Sequence, residues 1–322
     1  MAKKTKLWLI TALSLLLIGS ILICGVMASL GWDFAKLSTD RFETNRHQFS
    51  TLYKNIVIVT DTADVVFLPS EDGRIAVECY EETDARHLVT GDGETLTIRL
   101  EDRREWYHRI GIRFGEPRIT VFLPRAVYGN LTLDTNAGDV TIPADFQFYN
   151  MDITGSTGDV TVLASAGGDM NITLSTGEIC LKRLSANSIA LTTSTGDIEM
   201  ESITCRGDLS ITVASGDTEL EGVGCKTFLS TGDTGELSVE GVTAEESFSI
   251  VRTTGDVALE NCDAPEIIIE TDTGNVSGSL LSPKLFIVET DTGHIRVPRD
   301  TPFSGTCTVT TDTGDILFRI IG

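Results

Sequence analysis

The chain has 322 residues, 41% of them hydrophobic, with 47 acidic against 25 basic side chains and a formal charge of -22. That length suits one large domain or two ordinary ones, and eight prolines with thirty glycines are too few for a collagen-like or disordered chain. So negative a surface stays soluble and repels nucleic acid and anionic lipid, which argues against nucleic acid as a partner.

Residues 1–6, "MAKKTK", carry three lysines, and residues 7–30, "LWLITALSLLLIGSILICGVMASL", hold no charge. As a helix that run spans about 36 Å, enough to cross a bilayer. Lysines ahead of the span favour a cytoplasmic N-terminus and place everything after Leu30 outside the cell. Cleavage as a signal peptide, with Val26 and Ala28 at the cut, is the alternative, although the apolar run exceeds the usual h-region. Ile23 before Cys24 disfavours a lipoprotein. All the acidic residues lie beyond Leu30.

Residues 31–48, "GWDFAKLSTDRFETNRHQ", read as a polar tether. From 49 to 130 the runs "NIVIVTDTADVVFLP", "GRIAVECYEE", "GETLTIRLEDR" and "PRITVFLPRA" are strand-like and separated by turn signals. They predict an antiparallel or mixed β-region capping the segment that begins at residue 131, because an open end there would expose unpaired strand groups. Within it, Trp106, Tyr107 and His108 beside Arg103, Arg104, Arg109 and Arg113 form a basic, aromatic stretch. It reads as a covering loop or as a contact for an anionic polymer.

From residue 131 to 322 one pattern recurs. Aligned on the glycine of "TG(D/E)", the series Gly138, Gly158, Gly177, Gly196, Gly216, Gly235, Gly255, Gly274, Gly293 and Gly314 advances by 19 to 21 residues. Apolar columns stand two and four residues after each glycine and five and seven before it, with a break at Ser230 where "LSTGDTG" looks slipped. Steps of two mark strands with one buried face. A propeller blade needs about twice this period and helical repeats a 3.6 rhythm, so the pattern predicts an all-β fold: a β-solenoid of about ten 19–21-residue coils. At about 4.8 Å per coil the rod is roughly 48 Å long. The corner glycine supplies positive φ.

Six cysteines follow the apolar run. Cys79, Cys205, Cys225, Cys262 and Cys307 fall in inward columns and read as small buried hydrophobes, whereas Cys180 points outward. Cys205 and Cys225 sit one coil apart, so a bond between them stays open. The last coil ends at "DILFRIIG" with no polar cap, and Phe318, Ile320 and Ile321 suggest an apolar edge for self-association.

The residue after the glycine is acidic in most coils: Asp139, Asp159, Glu178, Asp197, Asp217, Glu236, Asp256 and Asp315. Carboxylates stacked at about 5 Å repel by only about 0.8 kcal/mol in water, which a solvated turn tolerates. The rival reading is a divalent cation held by Glu270, Asp272, Glu289, Asp291 and Asp312 on the last coils, since oxygen ligands suit Ca²⁺. The nine-residue calcium repeat is absent, however, and no metal site or cofactor is assigned. His47, His87, His108 and His294 are scattered through tether, turn, loop and corner, and no HExxH, GxSxG or phosphate-binding glycine loop occurs. Coils that vary by two residues leave no inserted loops to build a catalytic cleft.

With its apolar N-terminal run, "PRITVFLPRAVYGNLTLDTNAGDV" and the recurring "STGD" corners, the chain resembles the bacterial LiaG-like family of candidate adhesins over roughly residues 49 to 322. The resemblance implies a membrane-attached, extracytoplasmic β-solenoid, sometimes linked to envelope stress, and carries over no catalytic or ligand residues. The expected function is a non-enzymatic, membrane-anchored adhesin-like or cell-envelope interaction module, with a cell-wall polymer or envelope protein as partner. An accessory or regulatory protein of an envelope-stress response is the alternative, and a β-helix carbohydrate-active enzyme the third.

Overall fold

A computed structural model describes residues 2–32, 41–104, 115–299 and 302–322. The one helix among the described residues, Ala2–Ser29, contains an apolar stretch, Trp8–Ser29, long enough to cross a membrane. The rest is built from strands that form a β-solenoid.

In each coil the strand entering the glycine corner pairs parallel and in register with its counterpart one period away. Met151 lies between Leu131 and Met170, and Ile153 between Leu133 and Ile172. The strand leaving the corner does the same, with Val160 between Val140 and Ile179. Short pairings such as Gln147–Phe148 with Ser165–Ala166 form a third, smaller side. Letters one period apart therefore lie over one another, and the inward columns become a continuous core. Met151, Met170, Leu209, Phe248, Ile267 and Cys307 are all fully enclosed. No coil could exclude water from these side chains alone, so cohesion comes from neighbour on neighbour.

Stacking also explains the corner. Gly177 and Gly196 have φ of 136° and 135°, a region that L side chains rarely occupy. A Cβ on Gly196 would lie 2.7 Å from the Gly177 carbonyl carbon and closer still to its oxygen. The glycine is thus required by the rung beside it as well as by its own backbone.

The sequence break at Ser230 is not a slip. Pairing runs unbroken from Phe228↔Phe248 through Ser230↔Ile250, and the irregularity sits earlier, between Cys225 and Thr227. Ser230 remains in the inward column because Arg252, on the next rung, turns its guanidinium inside and donates from Nη2 to Ser230 Oγ at 2.9 Å. Gly232 leaves the room: a Cβ there would lie 2.9 Å from Arg252 Cζ.

At both ends the rungs are not stacked in chain order. Asn55–Thr60 lies between Thr95–Asp102 and Val127–Ala137, and Asp64–Pro69 between Arg118–Leu123 and Val140–Ile142. The parallel ladder therefore extends N-terminal of residue 131. "NIVIVTDTADVVFLP" is itself a rung, with Ala63 at the glycine position. The outermost rung at this end is covered by antiparallel strands: Ala85–Asp92 on Thr95–Asp102, Ile75–Glu82 on Arg118–Leu123, and Phe42–Phe49 on Ile75–Glu82. Part of the stretch read as tether is thus a cap strand.

At the other end, Thr306–Thr313 pairs with Glu266–Thr273 on one side and Leu285–Thr292 on the other, and Ile316–Ile320 lies likewise between Val276–Leu280 and Ile295–Arg296. The C-terminal coil is slotted inside and the coil before it forms the tip. Phe318, expected at an open edge, is 7% exposed. Of the three residues expected there, Ile321, beyond the strand, is the most exposed, at 47%. The connection into the tip is pinned by Lys284, enclosed and bound through Nζ to Asp263 Oδ1 at 2.6 Å. A chain terminus is where a stack would ordinarily fray. Slotting it between two rungs gives both its faces partners.

Candidate functional site

The corner column is the most repeated surface on the molecule. Where the residue after the glycine is Asp it is a structural acceptor: the amide of Asp159 donates to Asp139 Oδ1 at 2.9 Å, and that of Glu178 to Asp159 Oδ1 at 2.9 Å. The amides of Asp217, Glu236 and Asn275 donate in the same way to Asp197, Asp217 and Asp256. At the tip the chain of links runs from Asn275 to Asp315 to His294, following spatial rather than sequence order. Hydrogen bonds to a charged acceptor contribute about 1.5–3 kcal/mol, more than the roughly 0.8 kcal/mol of repulsion between neighbouring rungs. Asp315 is held below the usual carboxylate range by the amide and then the ring of His294. Along this corner an open groove of about 610 Å³ is lined by residues including Thr234, Gly235, Thr254, Gly255 and Thr273.

The five acids proposed for a cation are all exposed and only partly brought together. Asp312 lies between Asp272 and Asp291 in one column, whereas Glu270 and Glu289 both face Thr310 and stand two rungs apart. Among the described residues, two other groups bring potential metal ligands within 4.8 Å of one another: Cys79 with Glu81 and His87, and Glu178 with Cys180 and Glu199. In the second, Lys182 Nζ already sits on Glu199 at 2.7 Å, supplying the positive charge a metal would bring. In the first, His87 Nδ1 is 2.7 Å from Glu81 Oε2, hydrogen-bond length and closer than two ligands around one tetrahedral Zn²⁺ stand.

That first group is the chemically densest point of the cap. His87, expected in a turn, sits on strand Ala85–Asp92 with its side chain enclosed. Its amide donates to Glu81 Oε2 at 2.6 Å, Asn45 Nδ2 donates to Glu81 Oε1 at 2.8 Å, and Thr60 Oγ1 lies 3.0 Å from His87 Nε2. Burial by itself would raise the Glu81 carboxyl. The hydrogen bonds from the His87 ring, Asn45 and the His87 amide outweigh it and hold the carboxyl below its ordinary value. Thr60, His87 and Glu81 have the connectivity of a nucleophile, a base and an orienting carboxylate. The cavity on which they open is about 20 Å³, room for one water molecule and not for a substrate. The sequence trace of this cluster is the alternation of Ala85, His87 and Val89, which puts His87 on the inward face.

Beside it, Arg104 is locked between Asp102, which accepts from Nε at 2.8 Å and Nη2 at 2.9 Å, and Glu82, which accepts from Nη1 at 2.7 Å. Arg103 is exposed and paired with Glu101 at 2.9 Å. Trp106, Tyr107, His108, Arg109 and Arg113 lie outside the described residues. Cys205 and Cys225 are both free thiols, and burial pushes the Cys225 thiol up to about 12.

No curated protein matches the chain. Solved structures similar to it include a candidate adhesin from Parabacteroides distasonis ATCC 8503, 13% identical over 85% of this chain and 98% of that one, with a TM-score of 0.47. A candidate lipid-binding protein from the same organism is 15% identical over 88% and 98%, with a TM-score of 0.46. A candidate adhesin from Bacteroides fragilis NCTC 9343 is 13% identical over 87% and 97%, with a TM-score of 0.36. The period of about twenty residues, the parallel rungs and the glycine corners agree with a family match that spans residues 53–212 and 206–321, and the chain belongs to the Toastrack DUF4097 family.

Proposed function

We propose that this protein is a non-enzymatic, membrane-anchored module displayed outside the cell, where its rod makes adhesin-like contacts with the cell envelope. The observation that carries this reading is the open corner groove, whose lining groups repeat at the rung spacing. A linear polymer with a repeating backbone can meet the same threonine hydroxyls and backbone groups on several rungs at once, and weak contacts then add. The acids that flank the groove favour a neutral or cation-bridged cell-wall polymer over an anionic one. The apolar stretch Trp8–Ser29 would hold the rod at the membrane, with the lysines ahead of it on the cytoplasmic side.

The test is retention of the purified chain on intact cell-wall material. Thr234, Thr254 and Thr273 are exposed, and replacing all three by Gln fills the groove without changing charge. The native chain is expected to be retained and the triple variant washed away. Equal retention of the two would refute the groove as the contact.

A further inference from the structure

The two ends of the rod differ in a way that bears on what the tip can bind. Among the described residues, Leu285–Thr292 pairs on one side only, with Thr306–Thr313. Half of its backbone N–H and C=O groups therefore point off the end of the rod, the arrangement from which strand pairing with another chain starts. Phe286 and Val288, which face the interior, are only partly covered because no further rung lies over them. Leu285 and Ile287 on the outer face are 43% and 56% exposed. At the opposite end the outermost rung is overlaid by antiparallel strands, and the outer strands of that cap are blunted by charge, with Arg86 and Glu43 paired at 2.7 Å. The cap end thus offers a charged edge of different strand direction, and the tip has the same tip on a second copy as its matching partner.

We propose that two copies join tip to tip, Leu285–Thr292 pairing antiparallel with itself about a two-fold axis. The interface continues one the chain already makes at every rung, and the strand's own letters set a compatible register. With Val288 opposite Val288, Glu289 faces Ile287 and Asp291 faces Leu285, so no acid opposes an acid, and Phe286 and Val288 gain cover from the other copy. A two-fold contact of this kind closes on itself, giving a pair and not a filament. The chain enters the rod at the cap, about 50 Å from the tip by rung spacing. If the helix anchors the chain, as the proposed function has it, the pair bridges two facing membranes. The pairing itself does not depend on that reading.

The full chain is examined by sedimentation in detergent at rising NaCl, and then in nanodiscs loaded with one copy each. A dimer is expected that tightens with salt, because each copy carries a charge of -22 and screening relieves the repulsion. In nanodiscs the same pairing appears as discs joined in twos. Leu285→Glu with Ile287→Glu, both at exposed positions, sets an acid opposite Asp291 and Glu289 of the other copy and is expected to weaken pairing by at least about tenfold while the thermal melt stays put. Val288→Cys, in a Cys24→Ser background, is expected to give a disulfide-linked dimer on mild oxidation, and Ile295→Cys is not. A chain that stays monomeric in detergent at every salt concentration overturns the proposal, as does a dimer that survives the double glutamate variant. Dimers in detergent with a chain that fails to enter nanodiscs would refute the anchor and leave tip pairing standing.

Discussion

Replacing Gly196 with alanine tests why the corner glycine recurs. The new Cβ would lie 2.7 Å from the Gly177 carbonyl carbon, roughly 1 Å inside ordinary contact. The rungs cannot simply part there, because the amide of Gly177 donates to Thr195 O at 2.9 Å and that of Gly196 to Ser215 O at 2.9 Å. The φ of 135° costs an L residue about 1–2 kcal/mol. Overpacking in a site that cannot relax adds about 1–3 kcal/mol, so the expected loss is about 3 kcal/mol in all. Gly224 supplies the control: it has no positive φ, and a Cβ there meets nothing within 4 Å. Gly224→Ala should be neutral or stabilising by about 0.4–1 kcal/mol through the unfolded chain. Urea denaturation followed by circular dichroism reads both, with the Gly196→Ala midpoint well below that of the native chain. If the two variants unfold at the same urea concentration, the stacked-carbonyl explanation of the corner is wrong.

Arg252→Met removes an enclosed guanidinium whose Nη1 has no protein partner among the described residues, and it should raise stability by about 1–4 kcal/mol in the same assay. A loss would mean that the bond to Ser230 outweighs desolvation. At the corner, Asp217→Asn keeps the acceptor for the Glu236 amide and should be close to neutral. Asp217→Glu should cost about 0.5–1.5 kcal/mol, because the native Glu178 and Glu236 make no such link to the next rung; equal midpoints for the two variants would count against the ladder. Glu81 has a folded-state pKa below its ordinary value of 4.5. Its contribution is therefore fully present above that ordinary value and lost as pH falls through the lower folded one. Glu81→Gln should be destabilised relative to the native chain at neutral pH, and the gap should close in acid. A gap that stays constant down the acid limb would remove Glu81 from the account.

Much of the ladder was legible because a solenoid writes its tertiary contacts into its period. Leu131, Met151 and Met170 are twenty and then nineteen residues apart and lie directly over one another. The cap cluster was less legible: Thr60, Glu81 and His87 come from three strands, and nothing local to any of them names the other two. Arg252 was hidden for a related reason. An arginine in an inward column looks like an error of alignment until Gly232 and Ser230 on the neighbouring rung are seen to make room for it.

The sequence by itself determined that coils stack in parallel, which faces turn inward and where glycine must stand, since each follows from a side chain meeting its equivalent one rung away. It also placed five of the cysteines inside. Only the tertiary structure decided the order of the end rungs. A repeat specifies that any coil fits on any other, so "TDTADVV", "TDTGHIR" and "TDTGDIL" are equally good neighbours for the ladder. The choice among them falls to the connecting segments, to the cap strands over the first rung and to the Lys284–Asp263 pair beside the last. Those contacts have no periodic signature, and they leave the next-to-last coil, not the last, at the open tip.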